Sequence, residues 1–169
     1  DMHLRTRGSK GVAINKIPIK KASELFGILN IVFFSPEDLN IIKNGPAERR
    51  RFLDSELCQL DKLYLSDLTK YNKILNQRNK LLKDINYRPD LMETLSVWDE
   101  QLLEVGKRII KRRKIFIEEL NEIIGLIHSN ISGGKEQLIL KYEPNIEDIF
   151  FADELIKAKQ KDMKLCQTT

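Results

Sequence analysis

The sequence predicts a mainly helical α+β fold in which a long antiparallel two-helix arm projects from a small partial β platform. Three observations predict it. Apolar residues recur at three- and four-residue steps over two stretches of roughly 35–40 residues each, far beyond the usual three turns. Strand-type runs lie on both sides of those stretches. Eight Gly and five Pro in 169 residues leave few places to turn, so the elements must be long.

Residues 1–46 read as short strands with a short helix. Met2–Arg7 alternates imperfectly, and Gly8-Ser9-Lys10-Gly11 turns into Val12–Ile14. Asn15-Lys16 offers a tight turn before Ile17-Pro18-Ile19, which its proline confines to an edge. Ala22–Phe26 reads as a short helix ended by Gly27. Leu29–Phe34 is apolar, β-branched and aromatic, the signature of a buried strand. Ser35-Pro36-Glu37-Asp38 then supplies a cap, a first-position proline and first-turn acids, starting a helix to about Ile42.

Gly45-Pro46 breaks the chain, and from Glu48 the period becomes helical. Leu53, Leu57, Leu60, Tyr64, Leu68, Tyr71, Ile74 or Leu75, Arg78 and Leu81 or Leu82 trace a seam to about Asp84. Asn86-Tyr87-Arg88-Pro89 interrupts it. Leu91, Leu95, Trp98, Leu102, Val105, Ile109, Phe116, Leu120, Ile123 and Ile127 trace a second seam. Each helix would be about 50–60 Å long at 1.5 Å per residue. A short link makes them antiparallel, with position i facing about 175 − i. Ser132-Gly133-Gly134 ends the second helix, Gln137–Tyr142 alternates as a return strand, and Ile146–Lys164 is helical again. The expected divisions are a platform at 1–46, the arm at 47–132, and a return strand and helix at the arm base at 133–169.

Composition narrows the class. Apolar residues at 41% and charged residues at 32% exclude an ordinary disordered chain. The longest charge-free runs, Leu25–Pro36 and Ile123–Gly134, fall short of the roughly 18 residues a membrane helix needs. Two cysteines cannot make a disulfide framework, so a reducing cytoplasm is expected. The chain opens on Asp1 without an export signal, and Lys164–Thr169 stops without a cap. Both ends read as cuts from something larger.

Catalytic chemistry finds little support. His3 and His128 have no Cys or His at ligand spacing, so no metal site is expected, and no G-x-x-x-x-G-K-[ST] loop is present to cradle phosphates. Glu37 and Asp38 form an acidic pair at a strand end, but first-turn acids are also what a helix dipole favours.

Charge says more. The 29 Lys and Arg against 25 Asp and Glu leave a net +4. Lys107, Arg108, Lys111, Arg112, Arg113 and Lys114 form a cationic run with no acid among them. With Ile109 facing the core, Lys107, Lys111 and Lys114 form one outward stripe, Arg108 sits on the flank, and Arg112 and Arg113 lie near the seam. Asp61 and Asp67 are positioned to neutralise those two arginines. Unpaired lysines on one long face suit a phosphate backbone, although such runs are also ordinary solvated faces. Arg49-Arg50-Arg51 opens the first arm helix against the dipole and needs compensation from Glu48, Asp54, other acids or a phosphate.

The run Val32-Phe33-Phe34-Ser35-Pro36-Glu37-Asp38-Leu39, followed by Lys43, Gly45-Pro46 and Arg49-Arg50-Arg51-Phe52-Leu53-Asp54, resembles the RecF family of bacterial DNA replication and repair proteins. There a strand ending in PEDL precedes a K-G-x-P-x-x-R-R-x-F-L-D stretch; the departure here is Asn44, between the lysine and the glycine. Tyr71–Leu75 and Arg78–Leu82 also resemble the start of that family's arm.

The resemblance implies a middle fragment of an ABC-type ATPase related to SMC proteins, with the phosphate loop upstream and the signature and Walker B motifs downstream. The fragment itself would hold no cofactor and catalyse nothing. The parent would bind ATP and Mg²⁺, form an ATP-dependent homodimer, and act as a weak DNA-dependent ATPase. Its partners would be DNA at single/double-strand junctions and RecR, with RecO and RecA in the same pathway. Ser35, Glu37 and Asp38 would fall near the nucleotide. Lys107, Arg108, Lys111, Lys114, Arg49 and Arg50 are the expected DNA contacts. A protein-interaction or dimerisation arm that never touches DNA is the alternative.

Overall fold

Positive φ angles at Asn15 (49°) and Lys16 (69°) close the tightest turn of the N-terminal sheet. Both central residues of a two-residue hairpin need that conformation to match the twist of the flanking strands. The hairpin joins β2 (Gly11–Ile14) to β3 (Ile17–Pro18), with Ala13 opposite Pro18 and Ile14 opposite Ile17. β1 (Met2–His3) pairs antiparallel on the other side of β2, so the order is β1-β2-β3 and Pro18 lies in an edge strand. The computed structural model describes residues 2–3 and 11–169. Most of the expected strand Met2–Arg7 and of its turn therefore lies outside the described residues. The chain divides into two compact units, Asp1–Leu65 and Ser66–Thr169.

In the first unit, Ala22–Leu25 is a single 3-10 turn, with Glu24 accepting the backbone N–H groups of Lys20 and Lys21. The expected buried strand Leu29–Phe34 is not one. It has no ladder partner among the described residues, and Val32 is 98% exposed with Phe33 and Phe34 close behind. A strand is stabilised only by neighbours at its edges. Here the anchors are Gln59 Oε1, which accepts from Ile31 N, and Gln59 O, which accepts from Gly27 N. Pro36–Leu39 forms a 3-10 turn that runs into α1 (Asn40–Lys43).

α2 (Pro46–Leu60) starts on Gly45 and buries Leu53, Leu57 and Cys58. It stops at Asp61, whose extended backbone leaves the helix and whose Oδ1 accepts the N–H groups of Leu63 and Tyr64. That is an N-cap, and it starts α3 (Lys62–Ile85). The first seam is therefore two helices rather than one. Tyr64 turns back to donate its hydroxyl hydrogen bond to Asp54. Burial, helped by Asp54 and Asp61, pushes the Cys58 thiol up to about 11.

In the second unit the residues of α3 from Ser66 onward lie antiparallel to α4 (Leu95–Ser132). The register shows in two ion pairs, Arg108 with Asp67 and Arg78 with Asp99, close to the expected 175 − i. A 3-10 segment, Pro89–Thr94, makes the return, and Leu82, Ile85 and Leu95 pack at that end. Leu102, Val105, Ile109 and Phe116 continue the buried face of α4. Gly106 sits mid-helix because Phe151 occupies the space beside it: a Cβ there would lie 2.2 Å from Phe151 Cε1.

Gly133, left-handed at φ 64°, ends α4. The return strand expected at Gln137–Tyr142 joins no ladder among the described residues. α5 (Phe151–Leu165) begins later than the sequence pattern indicates and buries Phe151, Leu155 and Asp162.

Candidate nucleic-acid interface

The buried row Leu102, Val105, Ile109 and Phe116 fixes the rotation of α4 and hence the direction of its cations. Lys107, Lys111 and Lys114, at i, i+4 and i+7, share one stripe spanning about 10 Å of helix axis. Lys111 and Lys114 are exposed and Lys107 is half-buried. None of the three side chains has a hydrogen bond or ion pair among the described residues.

The arginines behave differently. Arg108 forms a fork with Asp67, Nε to Oδ2 at 2.9 Å and Nη2 to Oδ1 at 2.8 Å, and its Nη1 donates to Glu104 at 2.7 Å. The hydrogen bond to Asp67 is the main reason its pKa is raised. Asp67 thus takes Arg108 rather than the two arginines expected of it. Arg112 reaches Glu119 at 3.2 Å. Arg113 acts on Tyr71, whose hydroxyl pKa burial raises and the charges of Arg113 and Arg78 partly restore. Planar guanidinium forks match carboxylates, whereas ammonium groups stay hydrated, so the division by residue type is physically reasonable.

In the first unit, Arg49 donates from Nη1 to Asn44 O at 2.9 Å and Ile41 O at 3.3 Å. Its charge satisfies the carbonyl end of α1, which answers what compensates a cation at that helix start. Arg50 is exposed and has no partner among the described residues.

Ser35, Glu37 and Asp38 form a local cap. Asp38 Oδ2 accepts from Ser35 N at 2.7 Å, while Asp38 N donates to Ser35 O. The Ser35 hydroxyl, then the Glu37 backbone, hold the Glu37 carboxyl below its ordinary value. Both carboxyls are thus engaged within the cap. Among the described residues no group of three His, Cys, Asp or Glu gathers to hold an ion, and no helix is long and apolar enough to cross a membrane. His128 lies 3.6 Å from Glu136 through Nε2, with a buried, unpartnered Nδ1.

Little in the residue pattern marks the most buried polar cluster. Arg78, fully buried, donates from Nε to Asp99 at 2.7 Å and from Nη1 to Asp162 at 2.7 Å and Thr168 at 2.8 Å. Asp162 Oδ1 in turn accepts Thr169 N and Oγ1, both at 2.8 Å. The only signal was an arginine standing where the seam calls for an apolar residue.

No family model matches the sequence. A DNA replication and repair protein RecF from Agathobacter rectalis is 78% identical over 169 residues, all of this chain and 47% of that protein. A second, from Lachnospira eligens, is 61% identical over 97% of this chain and 46% of its own length. The solved structure of a recombination mediator protein RecF-ATPrS in the RecFOR pathway superposes with a TM-score of 0.84 at 34% identity. Its RecF-ATP counterpart gives 0.82 at 33%, and each covers 99% of this chain and 47% of the solved one. The chain therefore spans about half the length of its curated relatives, and over that span it belongs to the RecF family of DNA replication and repair proteins.

Proposed function

We propose that this chain is the DNA-contacting helical portion of a RecF-type recombination mediator, with Lys107, Lys111 and Lys114 meeting duplex phosphates. The carrying observation is the contrast on α4: the arginines are engaged by protein groups, and the three stripe lysines are not. Phosphate contacts of this kind position DNA without reading its sequence. Arg50 adds a free cation in the first unit, while the charge of Arg108 is already matched.

In this reading residues 1–46 belong to a nucleotide-binding lobe, 47–132 to the contacting arm, and 133–169 to its base. ATP with Mg²⁺ is bound by the longer protein, which dimerises on it and hydrolyses it weakly with DNA. Ser35, Glu37 and Asp38 lie near that nucleotide. The substrate is gapped DNA with single/double-strand junctions in the cytoplasm, and RecR, RecO and RecA act beside it. Support comes from the solved neighbours, described as RecF with ATP or ATPrS in the RecFOR pathway.

Fluorescence anisotropy of a labelled gapped duplex tests this. The triple variant K107A/K111A/K114A is expected to weaken binding at least tenfold near physiological salt. Its salt dependence should also flatten, by up to about 2.7 in log–log slope at 0.9 per phosphate contact. Arg108→Ala should change affinity less than threefold. Unchanged affinity and slope in the triple variant would leave the stripe a solvated face.

A second reading has its own observation. Ile123, Leu126, Ile127 and Ile131 on the last turns of α4 are more than half exposed. That face favours a protein partner such as RecR or a second copy, whose binding would ignore the lysines.

A further inference from the structure

The link between α1 and α2 is Asn44-Gly45, and it sets Asn44 apart from every other asparagine in the chain. Each of the others is followed by a larger residue, and those inside α3 and α4 have their backbone fixed by helical hydrogen bonds. Asn44 is exposed, and its carboxamide has no hydrogen bond among the described residues. Its backbone has left the helix, with φ −91° and ψ 173°. No helical hydrogen bond therefore pins the rotation that swings the Gly45 nitrogen toward the Asn44 side chain.

That nitrogen is free to react. The Gly45 N–H makes no hydrogen bond among the described residues. Glycine brings no Cβ to shield it, and a Cβ built there would meet nothing within 4 Å, so the space beside it is open.

Arg49 adds the electrostatics. Its Nη1 donates to Asn44 O at 2.9 Å. When the Gly45 amide loses its proton, the negative charge is shared onto that oxygen. A donor already aimed where charge develops stabilises it without rearrangement. Arg49 is exposed, so water screens the effect and the gain is a modest one.

We infer that Asn44-Gly45 is a spontaneous modification site, at which Asn44 closes to a succinimide and reopens to aspartate and isoaspartate, with Arg49 assisting the closure. Solvent base takes the Gly45 proton, and the nitrogen's electron pair forms a bond to Asn44 Cγ. The carboxamide nitrogen takes up a proton and leaves as ammonia. Water then opens the ring, at Cγ to give aspartate or at the main-chain carbonyl to give isoaspartate. Water is the only co-reactant, and nothing is oxidised. The new carboxylate lies just before the first turn of α2, where a helix dipole favours negative charge. The isoaspartyl form also lengthens the main chain between α1 and α2 by a carbon. Because the reaction joins neighbouring residues, it needs no segment outside this chain and does not depend on the lysine stripe.

Peptide mapping by mass spectrometry tests it, with the chain held at mildly alkaline pH over days and then digested in acid. Residue 44 should exchange its NH2 for OH at least tenfold faster than Asn30, which is also exposed and outside any helix. The product should accept methyl groups from an isoaspartyl methyltransferase. A rate no higher than that of Asn30, or a product that accepts no methyl groups, overturns the inference. Gly45→Ala suits the backbone, at φ −73° with open space for the methyl group, and should slow the reaction at least tenfold. An unchanged rate in that variant overturns the inference as well. Arg49→Met should slow the reaction two- to fivefold in the folded chain and leave it unchanged in denaturant. Any other pattern in Arg49→Met overturns the part assigned to the guanidinium.

Discussion

The unit Ser66–Thr169 hides Ile74, Leu82, Ile85, Leu95, Leu102, Val105, Ile109, Phe116, Phe151 and Leu155, together with a complete arginine side chain. The unit Asp1–Leu65 hides Leu53, Leu57, Cys58 and Tyr64, and leaves Ile28, Leu29 and Ile31 through Phe34 in water. Both contain similar apolar residue types, so hydrophobicity alone does not explain the difference. A helical seam followed by a turn and a second seam meets its own partner within a few tens of residues. A strand-forming run has unpaired backbone at both edges and depends on distant segments to complete it. Local patterns therefore close where the partner is near, and stay open where it is far.

The sharpest way to break the contrast is to remove the charge on which the second unit is built. Arg78 and Asp162 are both fully shielded from solvent, and α3, α4, α5 and Thr168 meet at the guanidinium. Arg78→Met leaves Asp162 buried with only Thr169 as donor. Breaking one side of a buried pair costs about 3–5 kcal/mol. Urea denaturation should show that loss. Replacing Asp162 by Leu as well should recover part of it, since a buried pair exchanged for apolar groups is often neutral. A loss below about 1 kcal/mol in the single variant would mean the cluster tolerates an unpaired carboxylate and the unit is looser than described.

A smaller effect probes packing without charge. Gly106→Ala places a methyl group 2.2 Å from Phe151 Cε1, so α5 must shift or Phe151 must change rotamer. Overpacking of this kind costs about 1–3 kcal/mol, even though alanine is the better helix former. Phe151→Leu in the same chain should reverse most of it. A stabilised Gly106→Ala would show that the ring is not seated against α4.

How legible each feature was follows from the same physics. The α4 seam, its pairing with α3 and the register near 175 − i were readable because periodicity and a short link suffice to fix them. The interruption at Asp61 was not, since Leu57, Leu60 and Tyr64 keep helical spacing through it and only the Asp61 cap marks it. Lys107, Lys111 and Lys114 could be placed from Ile109 alone. The partner of Arg108 could not: sequence offered Asp61 and Asp67 to Arg112 and Arg113, and Asp67 pairs with Arg108. Asp162 reads as one more surface acid among the lysines of α5. Its burial is fixed by Arg78, 84 residues away, a separation no local pattern carries.

The smallest expected effect tests the open side of the comparison. If the run from Leu29 to Phe34 is unsupported in this chain, its side chains contribute almost nothing to stability here. Val32→Asn and Phe33→Asn, at residues 98% and 80% exposed, should shift the unfolding midpoint within the range of ordinary surface substitutions, about ±0.5 kcal/mol. The same experiment on Leu57, with no exposure at all, sets the opposite scale: Leu57→Ala should cost about 2–5 kcal/mol. In a full-length polypeptide the two asparagine variants should become costly, because a strand run that gains neighbours gains burial with them. Loss of stability by the asparagine variants already in the 169-residue chain, at the level of Leu57→Ala, would show that the run is packed without help. The idea that distance to a partner separates the two units would then fail.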